Sequence, residues 1–349
     1  MATCEHFVYE TQGVIGTYVT PTRAISVITA GATGSQREMI DLRVTGACRG
    51  LHSRVLGAKP VSGAIETQWW DKDIATLIKA FLTDTATTGA SPYTHGFLPD
   101  DDADLGMLSG QLVYNSNLGV SLLAMVINSL EISVASKELA KLTFNYEARD
   151  KVRSGSGAGD WDSLGTSAPA VVSPAAMYEE VARPLAFYDG VISYGGTMTY
   201  DSSAKTISVS GDTPLGKVLS ATITISNNVD TDGYAIVEDP TRQEFDPGSR
   251  EIAVSLEISW SDKSYTLYDL AQTGVATVLQ LALFKSASLG AGIVIPGLVF
   301  DPFALPQVAG DKGKRTISLT GKGTRVTCGT TPSVDTDINM RIINEESSI

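Results

Sequence analysis

The amino-acid sequence predicts a mainly β protein with one helix per repeat, built as two tandem domains. Three observations carry this prediction. Segments in which apolar and polar residues alternate with a period of two outnumber segments with helical spacing. A strand-and-helix pattern in the first half recurs in the second, and a stretch rich in Gly, Ser and Pro lies between the halves.

The recurring pattern is a strand that leads into Asp-Lys and then into a helix-like segment. VSGAIETQWWDK (Val61–Lys72) resembles IAVSLEISWSDK (Ile252–Lys263) at a constant offset of 191 residues. Because the period-two alternation also agrees, duplication of one structural unit explains the match better than chance. The identical pairs are Glu66 and Glu257, Trp69 and Trp260, Asp71 and Asp262, and Lys72 and Lys263.

In the first half, the pattern predicts strands, one helix and one long polar loop. Asp71 is the expected N-cap of the helix, because the apolar residues that follow it then form one face. These apolar residues are Ile74, Leu77, Ile78 and Phe81. The expected strands are Ala24–Thr29, Ile40–Val44, Val61–Trp70, Gln111–Tyr114, Leu122–Val134 and Leu142–Tyr146, and the expected loop is Thr83–Asp104.

The second half repeats this plan. Its expected strands are Leu219–Ser226, Ile252–Trp260, Ile293–Phe300 and Thr316–Thr320, and its helix-like segment is Ser264–Gly274. The segment between the halves is too rich in Gly, Ser and Pro to build much core. We therefore divide the chain into a first domain (residues 1–153), a linker (154–176) and a second domain (177–349).

The composition describes a folded protein with an acidic surface. Of the 349 residues, 43% are hydrophobic and 19% are charged, which disfavours intrinsic disorder. The net charge of −13 is shared by both halves and disfavours tight DNA binding, which needs clustered cations. No stretch is long and apolar enough to span a membrane.

No set of residues indicates catalysis, a cofactor or a structural metal. The three cysteines, Cys4, Cys48 and Cys328, form neither a CxxC pair nor a disulfide framework, which is consistent with synthesis in a reducing cytoplasm. The three histidines, His6, His52 and His95, lack partners at the spacing of metal ligands or of a nucleophile turn. We expect them to be surface or turn residues.

The segment Asn228–Asp239 partly matches a calcium-binding loop. Asn228, Asp230 and Asp232 occupy positions 1, 3 and 5 of the pattern, but position 12 is Asp239 instead of Glu. A predicted strand, and not a helix, precedes it. An Asn- and Asp-rich turn that closes a strand explains the same residues better, so the segment is only a weak metal candidate.

Two features suit contacts between subunits. Four cations, Arg43, Arg49, Arg54 and Lys59, precede the matched strand. They could form a phosphate site, but a loop that salt-bridges to an acidic neighbouring subunit is the better interpretation. Trp69 and Trp70 point to opposite faces of a strand, so they cannot form one sugar-binding platform. We assign Trp69 to the core and Trp70 to a candidate interface.

Several segments resemble the tail tube (major tail) protein of long-tailed bacteriophages, and their order covers nearly the whole chain. They are GVIGTYVTPTRAISV near the start, VSGAIETQWWDKDIATLIKAFL, PLAFYDGVISYGG, ATITISNNVDTDGYA and REIAVSLEISWSDK. The resemblance implies a non-enzymatic virion protein with two tail-tube-like domains, each a β-sandwich or partial barrel with one flanking helix. Such proteins form rings that stack into a hollow tube for DNA ejection. The implied partners are other copies of the chain and the tape measure, tail terminator and tail tip proteins.

The duplication then suggests a stoichiometry. If each domain fills one of six ring positions, three chains form a ring with pseudo-sixfold symmetry, which we favour over a hexamer. Glu66 and Glu257 are our candidates for the lumen, where negative charge would repel DNA phosphates. Loops Ala30–Pro60 and Thr83–Asp104 are candidates for contacts between stacked rings. The alternatives are another ring-forming tail or baseplate component and a carbohydrate-binding receptor-recognition protein.

Overall fold

The fold is given by a computed structural model that describes residues 6–33, 39–42, 53–70, 72–155, 160–161, 169–173, 184–236, 239–304, 315–347 and 349. Strands dominate these residues, and two α-helices interrupt them. The predicted mainly β class is therefore confirmed.

The first half contributes eleven strands and the first helix. The strands are β1 (His6–Gln12), β2 (Arg23–Ser26), β3 (Thr29–Thr33), β4 (Met39–Leu42), β5 (Ser53–Leu56), β6 (Val61–Gln68), β7 (Thr83–Thr88), β8 (Tyr93–Pro99), β9 (Met107–Asn115), β10 (Leu118–Ala135) and β11 (Lys141–Gly155). Helix α1 (Ile74–Leu82) follows β6, with Asp73 at its N-cap. Eight of its nine residues are buried, so it forms part of the core.

The second half contributes twelve strands and the second helix. The strands are β12 (Gly190–Tyr194), β13 (Thr197–Asp201), β14 (Thr206–Ser210), β15 (Thr213–Pro214), β16 (Val218–Ser226), β17 (Glu251–Ser259), β18 (Thr277–Ser286), β19 (Leu289–Phe300), β20 (Thr316–Thr324), β21 (Val326–Cys328), β22 (Val334–Thr336) and β23 (Asn339–Asn344). Helix α2 (Asp262–Thr273) follows β17 and ends at Gly274, whose positive φ of 63° suits a glycine.

The same order of pairing occurs in both halves. In the first, neighbouring strands follow the order β2-β1-β9-β10-β11-β6-β3. In the second, they follow β15-β12-β18-β19-β20-β17-β16. Each helix follows the corresponding strand, β6 or β17. The registers correspond as well: Glu66 lies opposite Thr143, and Glu257 lies opposite Ser318.

The long strand β10 joins the two halves. Along one edge it pairs with β11 over nearly its whole length. Along the other edge it pairs first with β9 and then, from Ser129 to Ala135, with β16 of the second half. The change of partner occurs at Asn128, which the register with β11 skips. Its backbone and side-chain oxygens accept hydrogen bonds from the amides of Asn227 and Val229, so Asn128 fixes the fork between the two neighbours of β10.

The pairing through β10 creates one continuous series of eight strands, β3-β6-β11-β10-β16-β17-β20-β19, which we call the strand ribbon. β19 also pairs with β23, and β23 pairs with β8, so the second half is tied back to the first. Among the described strands these pairings branch but never return to their starting strand, so no barrel closes within one chain.

One apolar core lies beneath the ribbon and is shared by both halves. Trp69 is 1% exposed within it, as predicted. Core residues of both halves belong to the same contiguous cluster, including Leu130, Ile132, Phe144, Ile223, Leu256 and Leu319. Because every second residue of each ribbon strand points into this cluster, the alternation in the sequence fixes which face is buried.

Three expectations about the first half are wrong. The N-cap of helix α1 is Asp73 and not Asp71. The segment Thr83–Asp104 is not a polar loop, because it contains the hairpin β7–β8. His95 is not a surface residue: it lies in β8 with no exposed surface and contacts Thr87 and Asn344 through its two ring nitrogens, each at 2.9 Å. His6 is half-buried in β1, and His52 lies outside the described residues. Several residues of this segment are threonine or glycine, which are not strongly apolar. The period-two alternation of its strands is therefore hard to recognise in the sequence.

Parts of the predicted linker pack against the first half. Strand β11 continues to Gly155, and Ser154 is buried against Ser121. Trp161 is 2% exposed and packs with Leu123 and Val152. The backbone amide of Val172 donates a hydrogen bond to the side-chain oxygen of Gln111, so this residue also packs against the first half. The division into domains at residues 153 and 177 remains a prediction.

Acid should weaken the contact between β8 and β23. Burial lowers the pKa of His95, although hydrogen bonds to Asn344 and Glu346 oppose this effect. The unfolded histidine titrates near pH 6.5, so it binds a proton that the folded protein disfavours. We expect the free energy of unfolding to fall as the pH drops below about 6.5. Denaturant titrations at neutral and at mildly acidic pH measure the free energy of unfolding of the wild type and of His95→Gln. On acidification, the variant should lose less of this free energy than the wild type. An equal loss would contradict this role, because the lowered pKa of His6 is common to both.

Substitutions in the core beneath the β10–β16 pairing should destabilise the protein more than substitutions on the polar face above it. Ile132 has no exposed surface, so Ile132→Ala should lower the free energy of unfolding by about 2–5 kcal/mol. Ser133→Ala, on the opposite face of the same strand, should change it by less than about 0.5 kcal/mol. Equal effects in denaturant titrations would contradict the assigned faces.

Candidate functional site: the polar face of the strand ribbon

The face of the strand ribbon that points away from the core is polar and built from short side chains. Serine and threonine dominate it because they alternate with the core residues along each strand. The hydroxyl residues on this face are Thr29, Ser62, Ser129, Ser133, Thr143, Ser220, Thr222, Thr224, Ser226, Ser255, Ser259, Thr316, Ser318 and Thr320. These side chains are short and polar, so they project little from the sheet and can hydrogen-bond to water.

Charged side chains of both signs lie on this face. Along the described ribbon strands, five glutamates share the face with five cations, Lys141, Arg149, Lys151, Arg153 and Lys322. Lys141 lies 3.4 Å from Glu138, so part of its charge is neutralised within the chain. The glutamates are Glu66, Glu131, Glu147, Glu251 and Glu257. Three of the cations, Arg149, Lys151 and Arg153, lie together at one end of β11, beyond Glu147. The part of the face that holds Glu66, Glu131 and Glu257 lies outside this cluster.

Both glutamates predicted from the sequence lie on this face. Glu66 is half-buried beside Thr29, whose hydroxyl donates a hydrogen bond of 3.0 Å to its carboxylate. Glu257 is half-buried between Ser220 and Ser318 on the neighbouring strands. Their equivalent positions follow from the shared pairing order of the two halves.

Sequence reasoning missed Glu131, which the ribbon brings close to Glu66. Thr143 lies opposite both residues on the strand between them, so the two carboxylates share one row across the ribbon. Cross-strand neighbours are about 5 Å apart, which puts Glu66 and Glu131 roughly 10 Å from each other. The alternation from Leu130 to Val134 could have placed Glu131 on the polar face, but only the register of β10 on β11 could place it beside Glu66.

One end of the polar face is covered by the segment between β16 and β17. Arg242 of this segment is 2% exposed and lies 3.2 Å from the Glu147 carboxylate. Burial raises the pKa of Glu147, although Arg242 opposes this effect. Arg149 binds Asp239 at 3.0 Å beside it. These paired charges fix the segment on the ribbon, while the glutamates further along the face remain outside these pairs.

The calcium-like segment belongs to this covering structure. Asp239 accepts hydrogen bonds from the amide and hydroxyl of Thr241 and from Arg149. Burial alone would raise the pKa of Asp239, but these hydrogen bonds hold it below its usual value. Asp230 accepts a hydrogen bond from the amide of Asp232, and the amide group of Asn228 donates to the Ser249 carbonyl. The pattern is that of successive polar turns.

The predicted intersubunit cations that the structure describes have partners in their own chain. Lys59 binds Asp150, and Arg54 lies 2.8 Å from Asp41 in the hairpin β4–β5. Arg43 and Arg49 lie outside the described residues. Trp70 is half-buried and packs against the core, and its indole nitrogen is buried without an acceptor among the described residues. An intersubunit role for these residues remains a prediction.

The polar face of the ribbon is the candidate functional surface in the described part of the chain. Within it, no group of three or more His, Cys, Asp and Glu side chains could hold a metal ion. No helix in the described ranges is long and apolar enough to cross a membrane. The ribbon presents hydroxyl groups and charged groups of both signs on a polar face.

Comparison with known proteins identifies the family. The model of the phage tail tube protein family matches residues 6–323, which include both halves of the chain. No curated protein matches the chain in sequence. The family supports a structural role in the virion tail and suggests a non-enzymatic protein. On this match, the chain belongs to the phage tail tube protein family.

Proposed function

We propose that the chain assembles head to tail into rings, which stack into the hollow tail tube through which phage DNA is ejected. The observation that carries this proposal is the pairing of β10 with β16. It joins two similar series of strands edge to edge within one chain. The same kind of junction between chains would continue the ribbon, and a rotation that closes yields a ring.

The two ends of the ribbon support this head-to-tail contact. β3 corresponds to β16 in the pairing order, yet among the described strands it pairs only with β6. Directly after β19, the backbone amide of Asp301 donates a hydrogen bond to the carbonyl of Thr320 in β20. In the pairing order, this position corresponds to the second part of β10 in the first half. No described strand pairs with the outer edge of the segment after β19. A neighbouring chain that joins these two edges would satisfy backbone groups that otherwise bind water.

Two tandem tail-tube-like domains per chain favour a ring of three chains over six. Three chains would contribute 24 ribbon strands. At a strand spacing of about 4.8 Å and a tilt of about 40°, they would enclose a barrel roughly 48 Å across. Six chains would double this diameter. The smaller barrel suits a conduit for a single DNA duplex, with Glu66, Glu131 and Glu257 on its inner wall.

The proposed partners follow from this role. Copies of the chain form each ring, and the tape measure, tail terminator and tail tip proteins meet the tube inside and at its ends. DNA passes without tight binding, and no catalytic activity is needed for this role. Synthesis in the host bacterial cytoplasm precedes assembly.

The purified protein should form hollow rings that have the mass of three chains. Native mass spectrometry gives the number of chains, and negative-stain electron microscopy gives the shape of the particle. Rings of six chains would support the hexamer instead. Monomers that persist at high protein concentration would contradict head-to-tail assembly.

Reversing the charge of the inner wall should slow DNA passage without preventing assembly. Glu66→Lys with Glu257→Lys would replace repulsion by phosphate contacts, whose strength falls steeply between about 50 and 200 mM salt. Genome release from particles that carry this double variant, followed with a DNA-binding dye, should be slow at low salt and recover at high salt.

The matched control is Glu66→Gln with Glu257→Gln, which removes the charges without adding cations. It should release DNA at nearly the wild-type rate. Normal release by the lysine variant at low salt, from particles with intact tubes, would show that these residues do not face the DNA.

A further inference from the structure

Strand β11 extends beyond its neighbour β6 and leaves one edge without a strand partner. β6 pairs with β11 only as far as Ala148, which lies opposite Val61. β11 continues to Gly155 and pairs there with β10 along its other edge. No described strand pairs with the outer edge of residues 149–155. An edge of this kind can accept a strand from another chain.

In the second half, a strand of the first half fills the corresponding edge. β19 pairs with β20 and with β23, which together take the place that β11 has beside β10. The outer edge of β23 pairs with β8, from Phe97 opposite Met340 to Tyr93 opposite Asn344. Because the two edges correspond, β8 of another copy is the strand best suited to the end of β11. Exchange of β8 in this way would join copies outside the ring.

Side chains bind both backbone groups of Lys151, in the middle of this edge. Its amide donates a hydrogen bond of 2.7 Å to Asp150 Oδ1, and its carbonyl accepts one of 3.2 Å from Lys59 Nζ. The side chains of Lys59 and Asp150 also pair with each other at 2.5 Å. An antiparallel strand added here would need the same amide and the same carbonyl. The pair therefore competes directly with strand addition.

The pair is buried and is held in place from the second half. Asp150 has no exposed surface, and the side chain of Lys59 is 11% exposed. The backbone amide of Lys59 donates a hydrogen bond of 3.0 Å to the carbonyl of Pro240, in the segment between β16 and β17. Arg149 binds Asp239 of the same segment. An exposed ion pair is easily replaced by contacts with water, whereas separating this pair would leave a buried charge without its partner.

We propose that Lys59 and Asp150 form an edge cap, which prevents a strand of another copy from adding to the end of β11. The edge cap leaves association to the edges at β3 and after β19, where the proposed ring needs it. This inference rests on the proposed ring for the productive contact. Because the edge cap lies within one chain and is anchored through Pro240, it forms once both halves have folded together.

Removing the edge cap should shift protein from rings to irregular aggregates. Asp150→Ala removes both the acceptor of the Lys151 amide and the partner of Lys59. Asp150→Asn keeps an oxygen acceptor at the same place and should assemble nearly as the wild type does. Lys59→Met frees only the Lys151 carbonyl and should cause a smaller shift. Sedimentation measures the aggregated fraction, and negative-stain electron microscopy distinguishes rings from irregular aggregates.

Two controls separate an open edge from a loss of stability. Ile132→Ala weakens the core without exposing an edge, so at an equal unfolded fraction it should leave less protein in aggregates than Asp150→Ala. Arg153 is exposed, and its amide faces the same edge as that of Lys151, because alternate residues of an antiparallel strand do so. Arg153→Pro removes this amide, so Asp150→Ala combined with Arg153→Pro should return protein to rings.

The outcomes distinguish the edge cap from the ring. Equal aggregation of Asp150→Ala and Ile132→Ala would overturn the edge cap, as would clean assembly of Asp150→Ala or a failure of Arg153→Pro to reduce its aggregation. A wild-type protein that stays monomeric, beside an Asp150→Ala variant that associates, would refute the proposed ring and leave the edge cap in place.

Discussion

Backbone hydrogen bonds along the second part of β10 hold the two halves of the chain in one sheet. From Ser129 to Ala135 this strand pairs with β11 of its own half on one side and with β16 of the other half on the opposite side. Asn128 makes this possible because its oxygens bind the amides of Asn227 and Val229 at the point where β9 and β16 separate. The shared core and the continuous polar face both depend on this junction.

The junction also explains why an isolated chain has unfinished edges. Each series of strands uses a neighbour to satisfy one of its outer edges, and within the chain only one such junction can form. Among the described strands, β3 pairs only with β6, and the last residues of β19 pair with β20. In most proteins a long open edge invites uncontrolled association. In the proposed ring, another copy of the chain would cover these edges.

The two faces of the ribbon have different physical requirements. The face of the ribbon that points into the core bears apolar side chains, which form one contiguous cluster with helix α1. The polar face bears short hydroxyl side chains that hydrogen-bond to water, together with charged groups of both signs. Salt screens the interaction between exposed charges beyond a distance of about 8 Å at physiological ionic strength. The spacing of Glu66 and Glu131 by roughly 10 Å is close to this range.

The sequence by itself determined the mainly β class, the matched strands β6 and β17, the helices that follow them and the polar side of Glu66 and Glu257. These are local properties, because period-two alternation and helical spacing are written in consecutive residues. The tertiary structure alone decided the junction of β10 with β16, the place of Glu131 beside Glu66 and the burial of His95. Each depends on which strands become neighbours and in what register, and backbone hydrogen bonds between distant segments carry no signature in the identity of the residues that form them.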